Sequence, residues 1–214
     1  MGLLLAGLSV LIIGDSHLAT PNYLISTLHD DLSRRGAVVH TLGICGTNAG
    51  DWLKVTPGTC GGAERIGAGK VTLLGSNAAT RPVAQLIEQE KPGLVVVVMG
   101  DTMAAYDKPT FPKTWAWQQV TGLTGAIAAT GTRCVWVGPA WGSEGGKYGK
   151  TYARAELMSA FLAANAAPCS YVDSLKLSTK GQWTTIDGQH LTTTGYQHWG
   201  AAIGKAIATL PAAK

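Results

Sequence analysis

The sequence predicts an α/β domain built on a parallel sheet. Short β-rich apolar runs alternate five times with longer stretches of helical apolar spacing, the signature of successive strand–helix units. One run, Leu94–Met99, reads Leu-Val-Val-Val-Val-Met and has no polar face, as a central strand covered on both sides requires. A third observation puts a site on this frame. Gly14-Asp15-Ser16-His17 follows directly on the first strand, at the carboxyl end, where open parallel sheets bind ligands.

Each element has its own warrant. Ser9–Ile13 is a continuous apolar run closed by Gly14. Residues 22–35 place Leu24, Leu28 and Leu32 on one helical face and stop at Gly36, a residue suited to a helix C-terminus. Residues 37–42 form the second strand. Residues 81–90 form a helix, with Pro82 suited to its first turn and Pro92 beyond its end. After the Leu94–Met99 strand, residues 113–130 form a helix stopped by Gly131, and residues 133–137 a fourth strand. Residues 152–166 form the next helix, Tyr171–Val172 lie in a short fifth strand, and residues 193–210 make the closing helix. Residues 43–80 are the least regular part, with a short strand over 70–74 in a hairpin or flap.

The chain has 214 residues, 46% of them hydrophobic and 14% charged, with a formal net charge of +4. That length and composition suit one globular domain spanning residues 1–214. No run of Lys and Arg forms a stripe, so no nucleic-acid partner is expected. Gly2–Ile13 is apolar but lacks a positively charged start and is too short to span a bilayer. It is therefore read as leading into the first strand, neither a signal peptide nor a membrane span.

The four cysteines, Cys45, Cys60, Cys134 and Cys169, include no Cys-x-x-Cys pair, which argues against a zinc ribbon. Three pairings are open to them. Cys45–Cys60 is preferred because it closes a Gly-rich loop, and Cys134–Cys169 because each opens a predicted strand. Two bridges would place the protein in an oxidising compartment, periplasmic or secreted. The alternative is four buried thiols in a cytoplasmic protein.

Ser16 lies between a strand and a helix. A serine hydroxyl is a weak nucleophile until a base takes its proton, and that base is usually a histidine oriented by a carboxylate. Asp187-Gly188-Gln189-His190 supplies both on one loop, three positions apart. Alone, Gly-Asp-Ser reads as a turn with a capping serine. The pair matters because both segments fall where the topology puts an active site. The Gly-x-Ser-x-Gly elbow is absent.

These residues resemble the SGNH, or GDSL-type, hydrolase superfamily. Ile12-Ile13-Gly14-Asp15-Ser16-His17 is similar to its first block, Leu42–Thr47 to its second, Val98–Thr102 to its third and Asp187–Tyr196 to its last. The blocks occur in the family's order. The first and last matches are specific, and the middle two are loose. The resemblance implies a three-layer α/β/α, flavodoxin-like SGNH hydrolase fold with a five-stranded parallel sheet in the order 2-1-3-4-5. It implies Ser16 as nucleophile, His190 as base and Asp187 as its orienting carboxylate. It also implies an oxyanion hole formed by the Ser16 and Gly46 amides and a third-block side chain. At that third position Thr102 stands where the family usually has Asn, so Asn48 is a second candidate donor. His17 stands where the family usually has Leu. Such variants resemble relatives acting on acylated carbohydrates.

The expected activity is thus a serine esterase hydrolysing small acyl esters, O-acetyl groups on a carbohydrate above all. The alternatives are an O-acetyltransferase with the same triad and a non-catalytic carbohydrate-binding domain. No cofactor or metal is expected. The expected partner is a small acyl ester or acylated glycan, and the chain is expected to be a monomer. Trp141 and Trp183, with Trp52 and Tyr148, sit on predicted loops near the active face and are candidates for stacking on sugar rings, against the plainer reading that they cover core. Asn48 and Asp101 complete the candidate substrate-binding set. Asp101 at a strand end is equally suited to structural hydrogen bonds. Residues 62–70 do not make a phosphate loop, because no Gly stands five positions before Gly69 and Val71 replaces Ser or Thr. His190 and His198 lack a third ligand for a metal.

Overall fold

The computed structural model describes residues 2, 3 and 5–211. In chain order it contains β1 (Ser9–Gly14), α1 (Leu24–Arg34), β2 (Val38–Ile44), β3 (Gly62–Ile66), β4 (Thr72–Leu73), α2 (Val83–Glu90) and β5 (Leu94–Val98). There follow α3 (Asp101–Ala104), α4 (Lys113–Ala128), β6 (Cys134–Val137), α5 (Tyr152–Asn165), β7 (Ser170–Val172) and α6 (Thr193–Thr209). All strands join one sheet in the order β4-β3-β2-β1-β5-β6-β7.

The five strands from β2 to β7 are parallel and follow the expected 2-1-3-4-5 order. The sheet has seven strands, not five, because β3 and β4 add an antiparallel hairpin at the β2 edge. The hairpin falls in the stretch expected to be irregular; β4 lies within the short strand expected over 70–74, and β3 was not expected. Gly-Ala-Glu-Arg-Ile has no apolar run, and pairing with β2, not side-chain pattern, makes it a strand.

Alternation along the strands builds the three layers. Leu11 and Ile13 of β1, Val95 and Val97 of β5 and Trp136 of β6 face α2, α4 and α5. Val10, Ile12, Leu94, Val96, Val98 and Val135 face α1 and α6. β5 is buried at every position, which is why its sequence shows no polar face. Leu24, Leu28 and Leu32 of α1 pack toward Tyr196, Trp199, Ile203 and Ile207 of α6. Cys45–Cys60 and Cys134–Cys169 are both disulfide-bonded. Among the described residues no helix is long and apolar enough to cross a membrane.

β1 lies between β2 and β5, so chain order reverses beside it. The crevice beyond its carboxyl end is the topological switch point, where folds of this kind bind ligands. Ser16 stands there.

Candidate active site

Strand β1 ends at Gly14, and the chain turns at once into a 3-10 turn over Ser16–Leu18. Asp15 caps that turn, its Oδ1 accepting from the His17 amide at 3.1 Å. A cap of this type holds the Ser16 side chain at the strand end. Asp15 is fully buried and its Oδ2 has no partner among the described residues. Burial pushes its carboxyl up to about 6.

Asp187 and His190 come from the loop before α6. An isolated bridge between Thr185 and Leu191 folds this loop back on itself, and Gly188 takes the left-handed conformation at its tip, φ 93°. Asp187 Oδ1 accepts from the backbone amides of Gln189 at 3.0 Å and His190 at 2.7 Å. Its Oδ2 lies 2.7 Å from His190 Nδ1, and His190 Nε2 lies 2.7 Å from Ser16 Oγ. The structure therefore brings Ser16, His190 and Asp187, 174 positions apart at the extremes of the site, into one hydrogen-bonded line.

Charge settles the proton positions. Burial opposes a charge on Asp187, but hydrogen bonds from the His190 ring and from two amides hold its carboxyl below the usual value. Burial, then the nearby His17, lowers His190 below an ordinary histidine. At neutral pH the His190 ring is thus uncharged, with Nδ1–H donating to Asp187 and Nε2 free to accept the Ser16 proton. Tyr23 stacks on this ring at 5.9 Å and Tyr148 meets it edge-on at 5.5 Å.

The cleft above Ser16 measures about 230 Å³ and is lined also by Gly46, Asn48, Thr102, Tyr148 and the Cys45–Cys60 bridge. Gly46 has φ 82°, a backbone region that favours glycine, and a side chain there would run into Thr59. Thr102 Oγ1 is buried without a partner among the described residues. Asn48 opens a 3-10 turn, its amide donating to Asp51 Oδ2 at 2.7 Å. The sequence-predicted Ser16, Gly46, Thr102 and Asn48 thus share one cleft with His190.

Four other expectations are corrected. Asp101 does not line this cleft. It is buried behind it, with Oδ1 taken by Lys150 Nζ and Oδ2 by His17 Nε2, both at 2.7 Å. Burial opposes its charge, but Lys150 and His17 together hold its carboxyl down to about 2. Trp52 and Trp183 are core residues, 0% and 8% exposed, because their large apolar rings fill the sandwich between sheet and helices. Trp141 donates to the Leu175 and Ser178 carbonyls and meets Tyr152 edge-on, and it does not line the Ser16 cleft. Of the aromatics singled out in the sequence, Tyr148 alone lines the cleft.

The sequence did not disclose the buried chain Lys150–Asp101–His17–Tyr196. His17 Nδ1 lies 2.8 Å from the Tyr196 hydroxyl. A polar residue replacing Leu at a buried strand end was a usable signal, since buried polar atoms take partners. Lys150 gave none, because a lysine in a Gly-rich loop normally projects into water.

Comparison with known proteins follows the same lines. No protein-family model matches the chain. Among solved structures, a GDSL-like lipase from Bacteroides thetaiotaomicron superposes with TM-score 0.57 at 15% identity, covering 93% of this chain and 87% of the lipase. A peptidoglycan O-acetylesterase matches with TM-score 0.57 at 10% identity, over 95% and 91% of the two chains. An acetyl xylan esterase matches with TM-score 0.57 at 13% identity, over 93% and 99%. At these identities the likeness concerns the fold, which is that of SGNH hydrolases. Protein BcsX from Komagataeibacter xylinus is 46% identical over 213 residues, covering 99% of this chain and 80% of that protein. With that identity along nearly its whole length, the chain belongs to the same family as Protein BcsX, on the SGNH hydrolase fold.

Proposed function

We propose that the protein is a serine esterase that hydrolyses small acyl esters, O-acetyl groups on a carbohydrate above all. The observation that carries this reading is the 2.7 Å contact between Ser16 Oγ and His190 Nε2, with the far nitrogen of the same ring on Asp187. In the proposed reaction Ser16 Oγ attacks the ester carbonyl while His190 takes its proton. The oxyanion is held by the Ser16 and Gly46 amides and by the Thr102 hydroxyl, whose unpartnered state suits it to donate there. Collapse breaks the ester C–O bond, and His190 returns its proton to the departing alcohol. Water then attacks the acyl-serine, again giving a proton to His190; the acyl C–Oγ bond breaks as His190 returns that proton to Ser16 Oγ, releasing the acid and free Ser16. These residues need no cofactor for any step.

The small cleft favours a short acyl group. The carbohydrate part draws support from the fold's occurrence in a peptidoglycan O-acetylesterase and an acetyl xylan esterase. Two disulfides favour an oxidising compartment, periplasmic or secreted. We read residues 1–214 as one domain acting as a monomer.

Ser16→Ala tests the reading. It is expected to abolish hydrolysis of 4-nitrophenyl acetate and labelling by a serine-directed organophosphonate, with the fold retained. Undiminished hydrolysis would overturn the assignment. Absence of labelling in the parent protein would favour a non-catalytic binding domain. Acetyl transfer to an added glycan instead of water would make the protein an O-acetyltransferase.

A further inference from the structure

The cleft at Ser16 does not end at Thr102. Asn48, Thr102 and Ala105 also border a second cavity of about 350 Å³, so the two meet along one shared wall. Tyr106, Asp107, Lys108 and Trp115 also line this second cavity. This volume lies within the roughly 300–1,000 Å³ typical of small-molecule sites. Tyr106, Asp107, Lys108 and Trp115 take no part in the proposed chemistry at Ser16.

The lining has a definite chemical character. Trp115 and Tyr106 offer aromatic surface and both are half-buried. Tyr106 is fixed, with the Arg154 guanidinium 4.3 Å from its ring centre and Phe111 at 5.6 Å. Trp115 sits in the first turn of α4 and packs on the core. Around these rings stand an amide, a carboxylate and an ammonium, from Asn48, Asp107 and Lys108. A fatty acyl chain needs a continuous apolar channel, and charged groups in its wall would cost free energy. A sugar ring presents the complementary surface, with C–H faces for aromatic rings and hydroxyls for polar groups at the edge.

We propose that this cavity is a subsite for the glycan part of the substrate, with Trp115 as its stacking platform and Ala105 at the neck leading to Ser16. A pyranose held there would present an O-acetyl group across Thr102 to Ser16. The proposal rests on the esterase reading for its substrate, but binding of the sugar does not require the chemistry.

The test therefore begins with binding. The Ser16→Ala protein is titrated with unacylated β-1,4-linked tetrasaccharides of glucose, xylose and N-acetylglucosamine, following tryptophan fluorescence and calorimetric heat. Saturable binding of at least one is expected. Adding Trp115→Ala is expected to weaken it by about ten-fold or more, the loss of roughly 1.4 kcal/mol. Ala105→Trp, at an exposed position, is expected to block the neck and weaken binding equally, which keeps the test decisive if Trp115→Ala fails to fold. In the otherwise native protein, either change is expected to lower the ratio of kcat/KM for the acetylated tetrasaccharide to that for 4-nitrophenyl acetate. Binding of none of the three sugars, or binding indifferent to both substitutions, overturns the proposal. So does a preference for octanoyl over acetyl esters that Trp115→Ala removes, which would make the cavity an acyl pocket. If the sugars bind but no ester is cleaved, the esterase reading fails and the subsite stands.

Discussion

His17 Nε2 lies 2.7 Å from Asp101 Oδ2, so a second imidazole–carboxylate pair stands directly behind the one formed by His190 and Asp187. The two imidazole rings are 5.2 Å apart. His17 is 2% exposed and Asp101 likewise, and Lys150 closes the pair on the far side at 2.7 Å. A histidine here, where the superfamily resemblance leads one to expect leucine, ties the back of the site to electrostatics.

The first consequence concerns pH. Burial and His17 both keep His190 below the ordinary histidine value of 6.5. In the proposed reaction His190 acts as an uncharged base, so activity is expected to be lost only as pH falls through that lowered value. Hydrolysis of 4-nitrophenyl acetate is expected to persist below pH 6.5. Replacing His17 by Gln keeps a donor for Asp101 and removes the His17 contribution that lowers His190. The acid limb of the kcat/KM profile should then move to higher pH. An unmoved limb would show that His17 does not act on His190.

Lys150 and Asp101 form an ion pair in which both side chains are at most 5% exposed. Removing one partner of such a pair leaves a buried charge and costs about 3–5 kcal/mol. Lys150→Met should therefore lower thermal stability strongly, and adding Asp101→Asn should recover much of the loss. The loop that carries Lys150 also holds the Asp187 segment, through Lys147 N–H to the Asp187 carbonyl at 2.9 Å and Ser143 N–H to the Gly188 carbonyl at 2.8 Å. Activity should fall more steeply than stability as temperature rises in Lys150→Met, read by comparing inactivation with circular dichroism.

Thr102 tests the oxyanion site. Thr102→Val keeps the shape and removes the hydroxyl, whose oxygen has no hydrogen-bond partner among the described residues. A lost oxyanion donor costs about 10²–10³ in kcat, and a loss of that size with KM little changed is expected. A kcat within two- to three-fold of the parent, on the order of 0.5 kcal/mol, would pass the role to Asn48.

The Cys45–Cys60 bridge closes 15 residues and borders the cleft beside Gly46. Loops of this size contribute roughly 3 kcal/mol when closed. Cys45→Ser with Cys60→Ser should lower both the melting temperature and kcat, because the Gly46 amide loses its tether. Cys134→Ser with Cys169→Ser, at the far ends of β6 and β7, should lower the melting temperature alone.

Much of this molecule was legible in the sequence for a physical reason. The five parallel strands and the helices between them bury apolar residues at fixed periods, so β5 declares itself as an unbroken run and α1 as leucines four apart. Ser16, Asp187 and His190 were legible because strand ends and a short loop confine them locally. Tertiary structure decided what periodicity does not encode. Gly62–Ile66 is a strand through its partner, with no pattern of its own. Trp183 faces the core and Trp141 turns to Leu175, since a loop sequence does not fix where a ring points. The Lys150–Asp101–His17–Tyr196 chain joins residues up to 179 positions apart. Each satisfies a buried polar group with one from another segment, and only the packed fold chooses which.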